Sequence, residues 1–121
     1  MLLGESCVGK TCISTRIVQD HFSHVHNSNF GFDKKSKSVE IDGKVVCVQV
    51  WDRSGQEKFN STHSRFYKNA DGIMLVYDIT SSESFSKISD WMKQVKEYFD
   101  PTIPVTLVGN KIDLEKNRDV E

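Results

Sequence analysis

An α/β fold built on a mostly parallel sheet is the class this sequence predicts, and three observations predict it. Strand-like apolar runs alternate with amphipathic helical stretches, which is the pattern of crossovers in a parallel sheet. A Gly-rich turn separates the first strand from the first helix. A single Asp42-Gly43 pair between two strand-like runs marks one antiparallel hairpin. In such sheets ligands sit beyond the carboxyl ends of the strands, so motifs that fall there carry the functional argument.

Taken in order, residues 1–3 read as the end of a strand running into the Gly-rich turn. A helix follows over Lys10–Gln19, with Cys12, Ile13 and Ile17 on one side. Residues 20–35 hold His21, His24 and His26, few aliphatic side chains and no period, so they read as a long loop. The histidine spacing in an irregular loop favours solvated side chains over a metal site. SKSVEI (36–41) and VVCVQVW (45–51) pair as the hairpin. A polar stretch over 53–63 leads to a short helix near 64–69, and GIMLVYDI (72–79) reads as a strand buried on both faces. The clearest helix spans 82–99, where Phe85, Ile88, Met92, Val95 and Phe99 recur at steps of three and four, with Thr80 and Glu83 as a capping box. Pro104 then opens a last strand, PVTLVGN.

The bulk properties narrow the function classes. A chain of 121 residues has room for one compact domain, and no repeat, linker or low-complexity segment divides it. With 16 basic and 17 acidic side chains the formal net charge is −1, so the composition asks for neither nucleic acid nor an anionic membrane as partner. Cys7, Cys12 and Cys47 form an odd set without zinc-like or redox-like spacing, which predicts free thiols and a cytoplasmic setting. The start, MLLGES, is too short for a signal peptide, and no apolar run reaches membrane-spanning length.

Three motifs fall at strand ends. The first, GESCVGKT over residues 4–11, fits the phosphate-loop pattern G-x-x-x-x-G-K-[ST]. Gly4 and Gly9 let the backbone of Glu5, Ser6, Cys7 and Val8 fold tightly, so that successive N–H groups converge on phosphate oxygens beside a helix N-terminus that includes Cys12. Lys10 would reach the outer phosphates and the Thr11 hydroxyl would ligate Mg²⁺. The second, WDRSGQE over 51–57, ends a strand with Asp52, which can hold a Mg²⁺-bound water. Gly55 leaves its N–H free to approach a γ-phosphate, and Gln56 is placed to orient an attacking water. The third is NKID over 110–113. A carboxylate at Asp113 can accept two parallel hydrogen bonds from N1–H and the N2 amino group of guanine, which adenine cannot supply. The stem of Lys111 would lie along the base and Asn110 would tie the loops together.

On these motifs, and on IDGK, WDRSGQEKF, LVYDIT and LVGNKID, the chain resembles a small GTPase of the Ras superfamily, within it the Rab branch, from Met1 to about Val120. The resemblance implies a P-loop NTPase small G domain, a doubly wound sheet with one antiparallel strand. It implies GTP and GDP with Mg²⁺ as ligands, hydrolysis of GTP to GDP, and a role in vesicle traffic. Phe22 matches the aromatic that packs against the base, the loop through Asn29 the first switch, and the run 53–66 the second. Exchange factors, GTPase-activating proteins and effectors would bind through those switches, with the full-length relative on the cytosolic face of an endomembrane.

The departures from the family pattern are specific. Cys7 stands where the family has glycine, putting a Cβ and a thiol beside the phosphates. Asn29 stands where a threonine hydroxyl meets Mg²⁺; Arg53 and Ser54 replace Thr-Ala, and Lys34 replaces a phenylalanine of the effector-binding aromatic triad, leaving Trp51 and Phe66. The chain stops before the family's last base-contacting loop, final strand and final helix, and the prenylated cysteines that anchor such proteins to membranes are absent from it. Two other readings stand beside the switch. One is a pseudo-GTPase, a binding module that holds nucleotide weakly or does not switch, favoured by Cys7, Asn29 and Arg53. The other is a P-loop ATPase or kinase, which NKID disfavours.

Overall fold

The computed structural model describes residues 1–24, 32–53 and 67–121. In chain order they form β1 (Leu2–Leu3), α1 (Lys10–Gln19), β2 (Phe32–Ile41), β3 (Lys44–Arg53), β4 (Ile73–Asp78), α2 (Ser82–Ser86), α3 (Ile88–Tyr98), β5 (Val105–Asn110) and a 3₁₀ helix (Ile112–Asn117). The five strands make one sheet in the order β2-β3-β1-β4-β5. β1 runs parallel to both β3 and β4, and β4 parallel to β5, while β2 alone is antiparallel to its neighbour. This is the mostly parallel sheet with one antiparallel strand that the resemblance implies.

The strand pleat sends alternate side chains to opposite faces, so two short apolar strands build two cores. Leu3, Ile73 and Leu75 join Trp91, Val95 and Phe99 of the α3 side, with Tyr67 between them. Leu2 and Val76 join Val8 and Val50 on the other face, with Ile13 and Val18 of α1 packed against them. Each fully buried Leu or Val of this kind contributes about 1.5–3 kcal/mol of transfer free energy. Helices therefore cover both faces of the parallel core.

The hairpin turn forms as its sequence dictates. Asp42 and Gly43 both take positive φ, 51° and 77°, and the register closes at Ile41↔Lys44. That pair of conformations is what a two-residue hairpin loop needs to match the strand twist. The ladder runs further than alternation alone indicates. β2 begins at Phe32, inside the segment expected to be loop, because residues 32–35 find backbone partners at 50–53 of β3.

Two other expectations need correction. The single helix over 82–99 is two helices that divide at Lys87, which caps both. Its apolar stripe also divides: Val95 and Phe99 are buried, Ile88 and Met92 pack against the core, and Phe85 is exposed, its ring edge-on to Tyr77 at 4.9 Å. The capping box of Thr80 with Glu83 does not form. Ser81 is the N-cap, its Oγ accepting from the Ser84 N–H at 3.2 Å, because Thr80 is engaged by Asp78. The helix expected near 64–69 falls mostly outside the described residues, of which Tyr67 and Lys68 are helical.

Candidate functional site

The phosphate-loop sequence folds at the carboxyl end of β1. Gly4 has φ 144° and a Cβ there would stand 2.1 Å from the Val76 carbonyl oxygen of β4; Gly9 has φ 103° and its Cβ would stand 2.2 Å from the Asn110 amide nitrogen. Only glycine fits either place. Cys7 also turns left-handed, with φ 64°, so the position where the resemblance leads one to expect glycine keeps the backbone conformation of glycine. Holding a side chain in that region costs about 1–2 kcal/mol.

Side-chain donors from inside and outside the loop take its carbonyls. Lys10 Nζ donates to the Gly4 oxygen at 2.9 Å and to the Glu5 oxygen at 2.5 Å. Asn110 donates to the Val8 oxygen at 2.9 Å and Lys111 to the Cys7 oxygen at 2.9 Å. With those carbonyls turned to amide and ammonium groups, the loop's N–H groups and the N-terminus of α1, which no side chain caps, remain to meet an anion. Burial lowers the Lys10 pKa, while Asp52, Glu5 and Cys7 act in the opposite direction. The ammonium is thus short of counter-charge where phosphate would supply it.

On the other side of the loop a cavity of about 600 Å³ opens. Phe22, Asn110, Lys111 and Asp113 line it, and so do Cys7 and Cys12. Phe22, matched to the base by the resemblance, and Asn110, Lys111 and Asp113 of NKID, far apart in sequence, line one cleft. Asn110 bridges to the phosphate loop, and Lys111, in the left-handed conformation with φ 67°, is ion-paired to Asp78 at 2.6 Å.

A third group lies behind the loop. The Thr11 hydroxyl donates to Asp52 Oδ2 at 2.5 Å, joining α1 to the end of β3. Burial raises the Asp52 pKa; the Thr11 hydrogen bond, Lys10 and Lys35 lower it, and Asp33, its register partner, raises it. A hydroxyl and a buried carboxylate side by side are hard oxygen donors, a set that fits Mg²⁺. A divalent cation there would also relieve the burial cost of the carboxylate.

Some of the predicted residues place their side chains outside the site. The Glu5 carboxylate turns away from the loop and accepts from Trp91 Nε1 at 2.9 Å. Val8 buries its side chain in the core and offers the site only its backbone. The side of α1 that carries Cys12, Ile13 and Ile17 is not its most buried side: Lys10 and Ser14 are, while Ile17 is 37% exposed and lines the cleft with Cys12 and Ile13. The helix stripe rule fails because the face toward the sheet also carries the phosphate-loop lysine. Arg53 is buried at the end of β3, and Lys34 lies 5.5 Å over the Trp51 ring. Asn29, Gly55, Gln56 and Phe66 lie outside the described residues. Sequence reasoning missed Arg16, His24 and Leu114, which also line the cleft, and Asp78 behind Lys111. Asp78 had a legible signal, an Asp-x-Thr turn at a strand end opposite NKID.

A parallel sheet whose first strand enters a phosphate loop, with a base-side loop converging on it from the last strand, defines a P-loop small G domain. The chain belongs to the Ras family, whose model matches residues 1–121. It is 45% identical over 121 residues to "Ras-related protein Rab-13" of Rattus norvegicus, covering 100% of this chain and 60% of that protein. It is 42% identical over 121 residues to "GTP-binding protein YPT1" of Saccharomyces cerevisiae, covering 100% and 59%. "Ras-related protein Rab-10" of Diplobatis ommata is 43% identical over 118 residues, 98% of this chain and 59% of that protein. The chain thus spans about 60% of the length of the curated relatives it matches.

Proposed function

We propose that this chain binds guanine nucleotides and hydrolyses GTP to GDP as a molecular switch with a Rab-like role in vesicle traffic. The observation that carries the reading is the cleft itself, in which Asn110, Lys111, Asp113 and Phe22 meet the phosphate loop. Asp113 reads the guanine edge, Lys111 lies against the base, and Phe22 covers it. The loop N–H groups and Lys10 hold the phosphates of the substrate.

Thr11 and Asp52 would hold Mg²⁺ from behind the loop, with Asn29 offering an amide oxygen from the first switch. When bound, the cation neutralises charge on the β- and γ-phosphates. Gln56 orients water for in-line attack on the γ-phosphorus, the bond to the β–γ bridging oxygen breaks, and GDP and phosphate leave. Gly55 presents its N–H to the γ-phosphate and so couples the second switch to its presence. Exchange factors, activating proteins and effectors would act on the switches, and membrane attachment would come through a lipid anchor. Among the described residues no helix is long and apolar enough to cross a membrane. The relatives' names support the switch and lend nothing to the non-switching module or to an ATPase.

The test is the affinity of the nucleotide-stripped chain for fluorescent GDP and GTP analogues with Mg²⁺, alongside thermal unfolding. Guanine-selective binding that raises the melting temperature is the expected result. Equal retention of ATP and GTP would refute the reading. Replacing Asn29 by Thr should then raise GTP turnover if the first switch limits it.

A further inference from the structure

Asp78 is the last residue of β4, and its register partner Asn110 is the last residue of β5, so the strand pairing delivers Lys111 directly beside it. The two carboxylate oxygens are divided between two tasks. Oδ1 accepts from the Thr80 N–H at 2.8 Å and from the Thr80 hydroxyl at 2.7 Å. Oδ2 takes the Lys111 ammonium at 2.6 Å. The Asp78 main chain is locked as well: its N–H donates to Ser84 Oγ at 3.0 Å and its carbonyl accepts from the Ser81 N–H at 3.0 Å. The residue is 7% exposed, so this carboxylate has little water to compete for it and no room to swing away.

The same ammonium donates to the Cys7 carbonyl at 2.9 Å. Cys7 is the non-glycine residue in the phosphate loop that takes positive φ, and a left-handed non-glycine residue persists where its surroundings over-determine it. Lys111 is itself left-handed, which aims its stem back over the loop instead of along the strand. Asp78, Lys111 and the Cys7 carbonyl thus form a continuous tie from the sheet, through the base-side loop, to the phosphate-side loop. Exposed salt bridges are worth little, but this pair is half-sheltered and its geometry is fixed by two strands and a turn, so little side-chain entropy is lost in making it.

We infer that Asp78 is a positioning residue that holds Lys111 across the phosphate loop, so that nucleotide can leave only when the base-side and phosphate-side loops give way together. The tie is made by this chain's own groups; its consequence for nucleotide release rests on the guanine-nucleotide reading above. Asp78 touches no nucleotide in this account and acts through Lys111. It follows that removing its charge matters only while Lys111 is present.

The experiment is a double-mutant cycle of Asp78→Asn and Lys111→Met in the 121-residue chain, read in two ways. Hydrogen exchange at the amides of residues 5–9 is followed without nucleotide, and dissociation of a fluorescent GDP analogue is followed with Mg²⁺. Asp78→Asn should accelerate both by about tenfold on the unsubstituted background, and by nothing further on Lys111→Met, the non-additivity that coupled neighbours show. Thr80→Val, which removes one of the other donors to Asp78, should leave loop exchange unchanged. Equal acceleration on both backgrounds would overturn the inference, because Asp78 would then act through the α2 turn, and so would no acceleration at all. If Asp78→Asn does not fold, Asp78→Glu takes its place, with a smaller acceleration that again vanishes beside Lys111→Met. If the unsubstituted chain retains GDP no better than ADP, the guanine reading fails by itself, and the exchange cycle still decides the tie.

Discussion

Two tight turns of this chain, the hairpin loop at Asp42-Gly43 and the phosphate loop over residues 4–11, both need positive φ, yet they are stabilised in opposite ways. The hairpin turn holds Asp42 at 51° and Gly43 at 77° with a plain register closing behind it, and a Cβ on Gly43 would meet nothing within 4 Å. The phosphate loop holds Gly4, Cys7 and Gly9 at 144°, 64° and 103°, and it is enclosed by Val76 of β4, Asn110 of β5 and Lys111 just after it, all far along the chain. A turn that serves only to reverse the chain can be locally self-sufficient. A loop that must present N–H groups to a ligand has its carbonyls occupied from elsewhere, because otherwise it would relax toward satisfying itself.

The comparison breaks most readily at its glycines. Gly4→Ala forces a Cβ against the Val76 carbonyl where β1 meets β4, and we expect a loss on the order of 4 kcal/mol or failure to fold in chemical denaturation. Gly43→Ala has open space and only an unfavourable φ to meet, so its cost should be about 1 kcal/mol. Similar costs at the two sites would remove the distinction between an enclosed loop and a free one.

Next in size is Asn110→Ala, which strips the Val8 carbonyl of its donor. About 1–2 kcal/mol of stability should be lost, with a drop in GDP affinity of roughly tenfold. Cys7→Gly should act in the other direction. It relieves the left-handed conformation at some cost in chain entropy, for a net gain of about 0.5–1 kcal/mol by thermal unfolding. A loss instead would mean that the thiol makes contacts worth more than the strain.

The smallest effect concerns Asp52, and its sign is informative. Burial raises its folded pKa above the ordinary 3.8, so its contribution to stability is complete below that value and is lost as pH rises through the raised one. At neutral pH the ionised group therefore works against the empty fold. Asp52→Asn should leave the melting temperature of the nucleotide-free chain unchanged or higher by a few degrees, while Mg²⁺ ceases to strengthen GDP binding. A fall in melting temperature without nucleotide would show that the bond from Thr11 to the charged oxygen outweighs burial.

Much of this molecule was legible in local sequence. Lys10–Gln19 is a helix with the predicted bounds, the Asp-Gly turn closes the hairpin, and 73–78 is a strand buried on both faces, as its unbroken apolar run requires. The residues proposed for the base and the phosphates were nameable because their spacing within each motif reflects a fixed backbone task. Less legible were the start of β2, the division of the helix at Lys87 and the Ser81 cap. The start of β2 depends on β3, a partner found only after folding, while the Ser81 cap follows from the local Asp78 turn that engages Thr80.

Sequence alone determined the element types, the alternation that makes the sheet mostly parallel, and the residue kinds proposed to meet phosphate, magnesium and guanine. Those follow from interactions within a few residues, where period and glycine placement suffice. Tertiary structure decided which of these residues meet: that Asn110 and Lys111 reach over Cys7 and Val8, that the Glu5 carboxylate serves Trp91, and that Asp78 stands behind Lys111. Strand order sets those meetings, since β1 lies between β3 and β4 in space though it comes before both in sequence. Proximity created by sheet pairing leaves no local trace at either partner.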